Sequence, residues 1–173
     1  MKMTQPVLRH SITLFAAALI LSGCGSGTTL VVDPPEQAAT AVRSVIVEGA
    51  PAVIQVPAET EQKFVENLKH CLYEEAGFQQ GTELHIRYRF IQFDPGNQFE
   101  RWFWGGLGNT GEGSLTIEAK YVDAAGQEVA TIQAQGSINS GFFGGAFELA
   151  VDKAAQEIAE YTVANYRAAP VVP

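Results

Sequence analysis

Ser114 to Val122 (SLTIEAKYV) alternates apolar and polar residues without a break, Asp123-Ala124-Ala125-Gly126 supplies a turn, and Gln127 to Ile138 (QEVATIQAQGSI) brings the chain back. A period of two puts Leu115, Ile117, Ala119 and Tyr121 on one side of a strand. Two such runs joined by a short turn form an antiparallel hairpin. A chain built round this hairpin must cover its apolar side with another layer.

Two segments have the spacing to do so. Glu59 to Ala76 (ETEQKFVENLKHCLYEEA) places Phe64, Leu68, Cys71 and Leu72 on one helical face, with Val65 at its edge. Thr60 is the expected cap and Gly77 the expected stop. Phe147 to Tyr166 carries a narrow stripe of small residues, Ala150, Val151, Ala154 and Ile158 among them, which suits close packing on a sheet. Glu83 to Phe93 alternates again, with Leu84, Ile86, Tyr88 and Phe90 on one side and His85, Arg87 and Arg89 on the other. Val42 to Val47 is a short β-branched run. Val53 to Val56, held between Pro51 and Pro57, reads as an edge strand or loop, and Gln98 to Trp104 as a short strand or structured loop. The order predicts an α+β fold: a two-layer domain with a mostly antiparallel sheet of four to five strands and two helices on one face. A strand–helix–strand opening sets the first two main strands parallel.

The N-terminus reads as an address. Lys2 and Arg9 precede Ile12 to Leu21, an apolar run of ten residues. About 20 are needed to span a bilayer, so the run fits a signal peptide instead. Leu21-Ser22-Gly23-Cys24 resembles a lipobox, which makes Cys24 the acylated, palmitate-bearing first residue of the mature chain, and two or three acyl chains anchor stably. Gly25 follows rather than Asp, so the expected location is the outer membrane, facing the periplasm. The expected organisation is a signal peptide over 1–23, a lipidated tether over 24–40, the α+β domain over 41–167 and a flexible tail over 168–173. The tether reading rests on the Pro34-Pro35 pair and the lack of any sustained period, and a flexible coil of that length spans about 22 Å.

The net charge is −8, and removing residues 1–23 takes two bases and no acid, leaving 9 basic against 19 acidic residues. That argues against nucleic acid or anionic headgroups as general partners. With Cys24 acylated, Cys71 is the remaining cysteine; a disulfide framework is excluded, and a lone thiol lasts best when buried.

From about Arg43 to Arg167 the chain carries a set of features: the strand Leu84 to Phe90, Arg101 ahead of a glycine-rich segment ending Gly111-Glu112-Gly113, the turn with Asp123 and Gly126, and Gly141 with Gly144-Gly145 before an Ala-rich helix. This pattern resembles a family of bacterial envelope proteins, often lipoproteins, known only as a domain of unknown function. The resemblance implies the fold and an envelope location, and no activity.

No motif assigns chemistry. Gly105 to Gly111 has a G-x-x-G-x-x-G spacing, but a strand follows where a phosphate loop needs a helix. His70 and Cys71 are neighbours on a helix and point about 100° apart, which does not make a nucleophile–base pair. Two histidines in different elements do not make a metal site. No catalytic, cofactor-binding or metal residue is therefore assigned. The ladder His85, Arg87, Arg89 is either a docking stripe for an anionic partner or one half of cross-strand pairs with Glu118 or Glu128. The open ends of the hairpin bring Phe99 to Gly113 and Asn139 to Ala146 to one edge. Phe99, Arg101, Trp102, Phe103, Trp104, Phe142 and Phe143 there either cap the core or anchor a partner. The expected function is a membrane-anchored periplasmic lipoprotein, a non-enzymatic binding or accessory module whose partner is an envelope protein or the cell wall. The alternative is an enzyme, a hydrolase on cell-wall or small-molecule substrates.

Overall fold

The computed structural model describes residues 25–34, 40–94, 113–138 and 148–168. The elements run β1 (Gly25–Asp33), β2 (Ser44–Gly49), α1 (Ala58–Lys69) continued by a π-helical segment (His70–Glu75), β3 (Gln79–Gln80), β4 (Leu84–Asp94), β5 (Gly113–Asp123), β6 (Glu128–Ile138) and α2 (Glu148–Tyr166). The fold is mixed α+β. Its sheet has six strands in the order β1-β6-β5-β4-β2-β3, not four to five.

The hairpin forms as its alternation requires: β5 and β6 pair antiparallel from Gly113 opposite Ile138 to Val122 opposite Glu128. The Asp123 carboxylate ties the turn by accepting from the backbone N–H of Ala125 and Gln127, each at 2.9 Å, and Gly126 takes φ of 81°. β4 pairs antiparallel with β5, and β2 pairs parallel with β4, as the strand–helix–strand order predicts. Ile86, Tyr88, Phe90, Leu115, Ile117, Ala119 and Tyr121 are buried beneath the helices. Phe64 of α1 sits edge-on to Tyr88 and Phe90, with ring centroids 5.1 and 5.6 Å away. Tyr121 reaches α2, where its hydroxyl lies 3.2 Å from the Ile158 carbonyl and 3.0 Å from Thr162 Oγ1.

Two small-residue contacts bring α2 onto the sheet. A Cβ on Gly136 would stand 1.8 Å from the Ala150 carbonyl oxygen, so strand and helix backbones touch there. A Cβ on Gly27 would stand 2.5 Å from Glu157 Oε1, and Thr29 Oγ1 donates to the same carboxylate at 2.5 Å.

Two expectations need correction. Gly25–Asp33 is not tether but an edge strand, paired antiparallel with β6. Its Leu30, Val31 and Val32 are 62, 41 and 50 % exposed. An edge strand of this kind is held by backbone pairing rather than by burial, so no inward–outward period marks it in the sequence. Of the two readings of Val53–Val56, edge strand or loop, the loop is the one found, since the prolines on either side keep it out of the ladder. Thr60 does not cap α1: the helix starts at Ala58, and the Pro57 carbonyl accepts from the N–H of Thr60 and Glu61. Gly77 does stop the helix, with φ of 72°. Between them the last turn widens, Ala76 N–H bonding the Cys71 carbonyl five residues back at 2.9 Å. Residues 98–104 lie outside the described residues.

Candidate functional site

At the hairpin-turn end of the sheet the strand ends and the last turn of α2 surround a cavity of about 870 Å³. Val42, Leu84, Val129 and Tyr166 give it apolar walls, while Asp33, Glu83, Asp123 and Glu128 bring carboxylates to it, with Arg43 between them. Topology puts them together: β1 ends here, β2 and β4 begin here, and Val42 N–H bonds the Tyr166 carbonyl at 2.7 Å.

Three of the four carboxylates are already engaged. Glu83 Oε2 accepts from the N–H of Arg43 at 2.6 Å and of Ser44 at 3.1 Å, and these two bonds hold its carboxyl below the usual carboxylate range. Glu128 is lowered by Lys120, whose Nζ lies 2.8 Å away, and by the Thr131 hydroxyl. Asp123 closes its own turn. Tyr166 stacks on Tyr121 at 5.2 Å, and burial pushes both phenols up. The hydroxyls of Tyr166 and Tyr161 are buried with no hydrogen-bond partner among the described residues. The cavity has room for a ligand, and among the described residues that line it no nucleophile is paired with a base. Among the described residues no three His, Cys, Asp or Glu side chains group to hold a metal ion.

The basic ladder lies on the sheet face away from the helices, where acids offset each base. Arg87 Nε and His85 Nδ1 lie 3.3 and 3.2 Å from Glu48 Oε2 on β2. His85 and then Arg87 lower the Glu48 carboxyl. Arg89 Nη2 stands 2.6 Å from Glu118 Oε1 in an ion pair. Lys120 takes Glu128. Of the two sequence readings, cross-strand pairing holds, with Glu48 as the partner that sequence spacing could not reveal because β2 is parallel and distant in the chain.

Cys71 is buried, as its place on the helical stripe predicts. Burial first, then Glu75 and Asp152, push its thiol up to about 11. His70 turns instead toward Glu74 and Glu75, at 3.0 and 3.5 Å.

Cys24, Phe99, Arg101, Trp102, Phe103, Trp104, Phe142 and Phe143 lie outside the described residues. The strand ends flanking them are described. Asp94 pairs with Ser114, and Gly113 with Ile138, so the chain leaves and re-enters the sheet for both aromatic segments at one end. Gly25 also pairs with Ile138, at that same end. The cavity is at the other.

Comparison with known proteins gives a family and distant folds. The model of a domain of unknown function, DUF4410, matches residues 52–141. No curated protein matches the chain. Among solved structures, a PelC dodecamer from Paraburkholderia phytofirmans is 13% identical, covering 82% of this chain and 100% of that one at a TM-score of 0.47. A variant PelC dodecamer from the same organism is 16% identical, with 83% and 100% covered and a TM-score of 0.48. A Xanthomonas campestris protein of the DUF330 family is 14% identical, with 79% and 93% covered and a TM-score of 0.44.

Proposed function

Since the chain belongs to the DUF4410 family, a domain of unknown function, its role has to be argued from its own residues, and we propose that it is a lipid-anchored, non-enzymatic binding module of the cell envelope, held to the outer membrane through Cys24 and exposed to the periplasm. The observation that carries this reading is the run Leu21-Ser22-Gly23-Cys24 directly after a short apolar segment. Such an anchor needs no spanning helix. The cavity supports binding over chemistry: its Glu83, Asp123 and Glu128 are spent on fixing backbone and neighbouring side chains, and they leave apolar walls to receive a ligand.

Growth with an alkynyl fatty acid, followed by fractionation, tests the anchor. The protein should carry the label and sediment with membranes, and Cys24→Ser should lose the label and appear in the soluble periplasmic fraction. A Cys24→Ser variant that stays with membranes in high salt would overturn the reading.

A further inference from the structure

β1 is in register with the sheet from its first residue. Gly25 pairs with Ile138 of β6, and Ile138 pairs with Gly113 of β5. Ser26 and Ser137 add a hydroxyl contact of 2.8 Å one row in, and Gly27 lies beneath Glu157 of α2. Cys24 is therefore one peptide bond, about 3.8 Å between Cα atoms, from a residue fixed in the ladder. A tether of sixteen free residues would let the domain tumble; this junction has no slack to do so.

Resting on the reading of Cys24 as the acylated residue, we propose that the domain stands end-on on the bilayer, with the sheet end that holds Gly25, Gly113 and Ile138 against the phospholipid surface and the cavity facing away from it. β5 runs from that end to the turn over 11 residues. At about 3.3 Å per residue, the turn lies roughly 30 Å further out.

Charge does not choose between the two ends, because the connecting sequence 95–112 adds Glu100, Arg101 and Glu112 to this one; the position of Gly25 does. Residues 25–29, 113–117 and 134–138 contain no charged side chain, and Asp94 is the sole charge in 90–94. Glu148 adds an acid at the start of α2, in the helix layer. The opposite end gathers Asp33, Glu83, Asp123 and Glu128. The anchor thus sets an orientation as well as a location, and it presents the cavity to a partner reaching it from the aqueous side.

The experiment uses the full, lipidated chain in vesicles of phosphatidylethanolamine and phosphatidylglycerol carrying a headgroup-attached quencher. A fluorophore is placed at Gln135→Cys, three rows from Gly25, or at Ala125→Cys in the turn. Unsubstituted protein gives the background from Cys71. Vesicle-dependent quenching should be severalfold stronger at 135 than at 125, and should vanish at both when Cys24→Ser is added. Equal quenching at the two sites, or the reverse order, in protein that co-floats with the vesicles overturns the orientation and leaves the anchor standing. Protein that does not co-float overturns the anchor and the orientation with it.

Discussion

Gly136→Ala should be among the most damaging single-methyl additions this fold can suffer. The new Cβ would lie 1.8 Å from the Ala150 carbonyl oxygen, 2.7 Å from its carbon and 3.0 Å from Ala154 N. Carbon and oxygen rest near 3.4 Å, so the start of α2 must move outward by roughly 1.5 Å or β6 must bow. All three obstacles are helix backbone, which cannot step aside by changing a rotamer. Stiffening the unfolded chain returns at most about 1 kcal/mol. Overpacking a tight core costs about 1–3 kcal/mol and more when backbone must shift, so a net loss of about 3 kcal/mol is expected. Gly126→Ala is the internal control. Its Cβ meets nothing within 4 Å, and the loss there is the strain of a φ of 81°, about 1–2 kcal/mol. Urea unfolding followed by far-ultraviolet circular dichroism gives both values. If Gly136→Ala costs no more than Gly126→Ala, the direct backbone contact between α2 and β6 is wrong.

Tyr121→Phe removes a hydroxyl bonded to Ile158 and Thr162 and should cost about 1–2 kcal/mol, whereas Tyr166→Phe removes a buried hydroxyl with no partner among the described residues and should be neutral or stabilising in the same unfolding assay; equal losses would contradict these assignments. The Cys71 thiol titrates at about 11 in the fold against 9.0 when exposed, so its contribution to stability is complete below pH 9 and lost as the pH rises toward 11. Cys71→Ala should flatten the fall in thermal midpoint across that window, and native protein should react with a thiol reagent far more slowly than unfolded protein; an unchanged slope or rapid native labelling counts against a buried thiol.

The central strands and both helices were legible because burial on one side writes a period into the sequence. Leu84, Ile86, Tyr88 and Phe90, or Leu115 to Tyr121, alternate because one face is in the core and the other carries charge pairs. The parallel pairing of β2 with β4 followed from connection rules rather than from any residue. β1 was invisible for the complementary reason. Gly25, Ser26, Gly27 and Thr28 give nothing to bury, and Leu30 to Val32 stay exposed, so its pairing is written in backbone hydrogen bonds that leave no compositional trace. The π-helical turn at His70–Glu75 is likewise a hydrogen-bond pattern, carried by residues that also fit an ordinary helix.

The site was less legible than the fold because its residues are ordinary ones used structurally. Asp123 was marked as a turn residue and is one, whereas Glu128, marked as a possible partner for the ladder, pairs with Lys120 instead. Each also borders the cavity, which exists only because β1 and α2 end where β2 and β4 begin. No local spacing encodes that convergence. Glu83 shows how the two roles join. Its carboxylate bonds the N–H of Arg43 and Ser44, forty and thirty-nine residues earlier, and so pins the start of β2 against the start of β4. The same bonds set the position of Arg43 at the cavity rim. What fixes the shape of the cavity is therefore the sheet's own edge chemistry, in bonds that serve the fold before anything else.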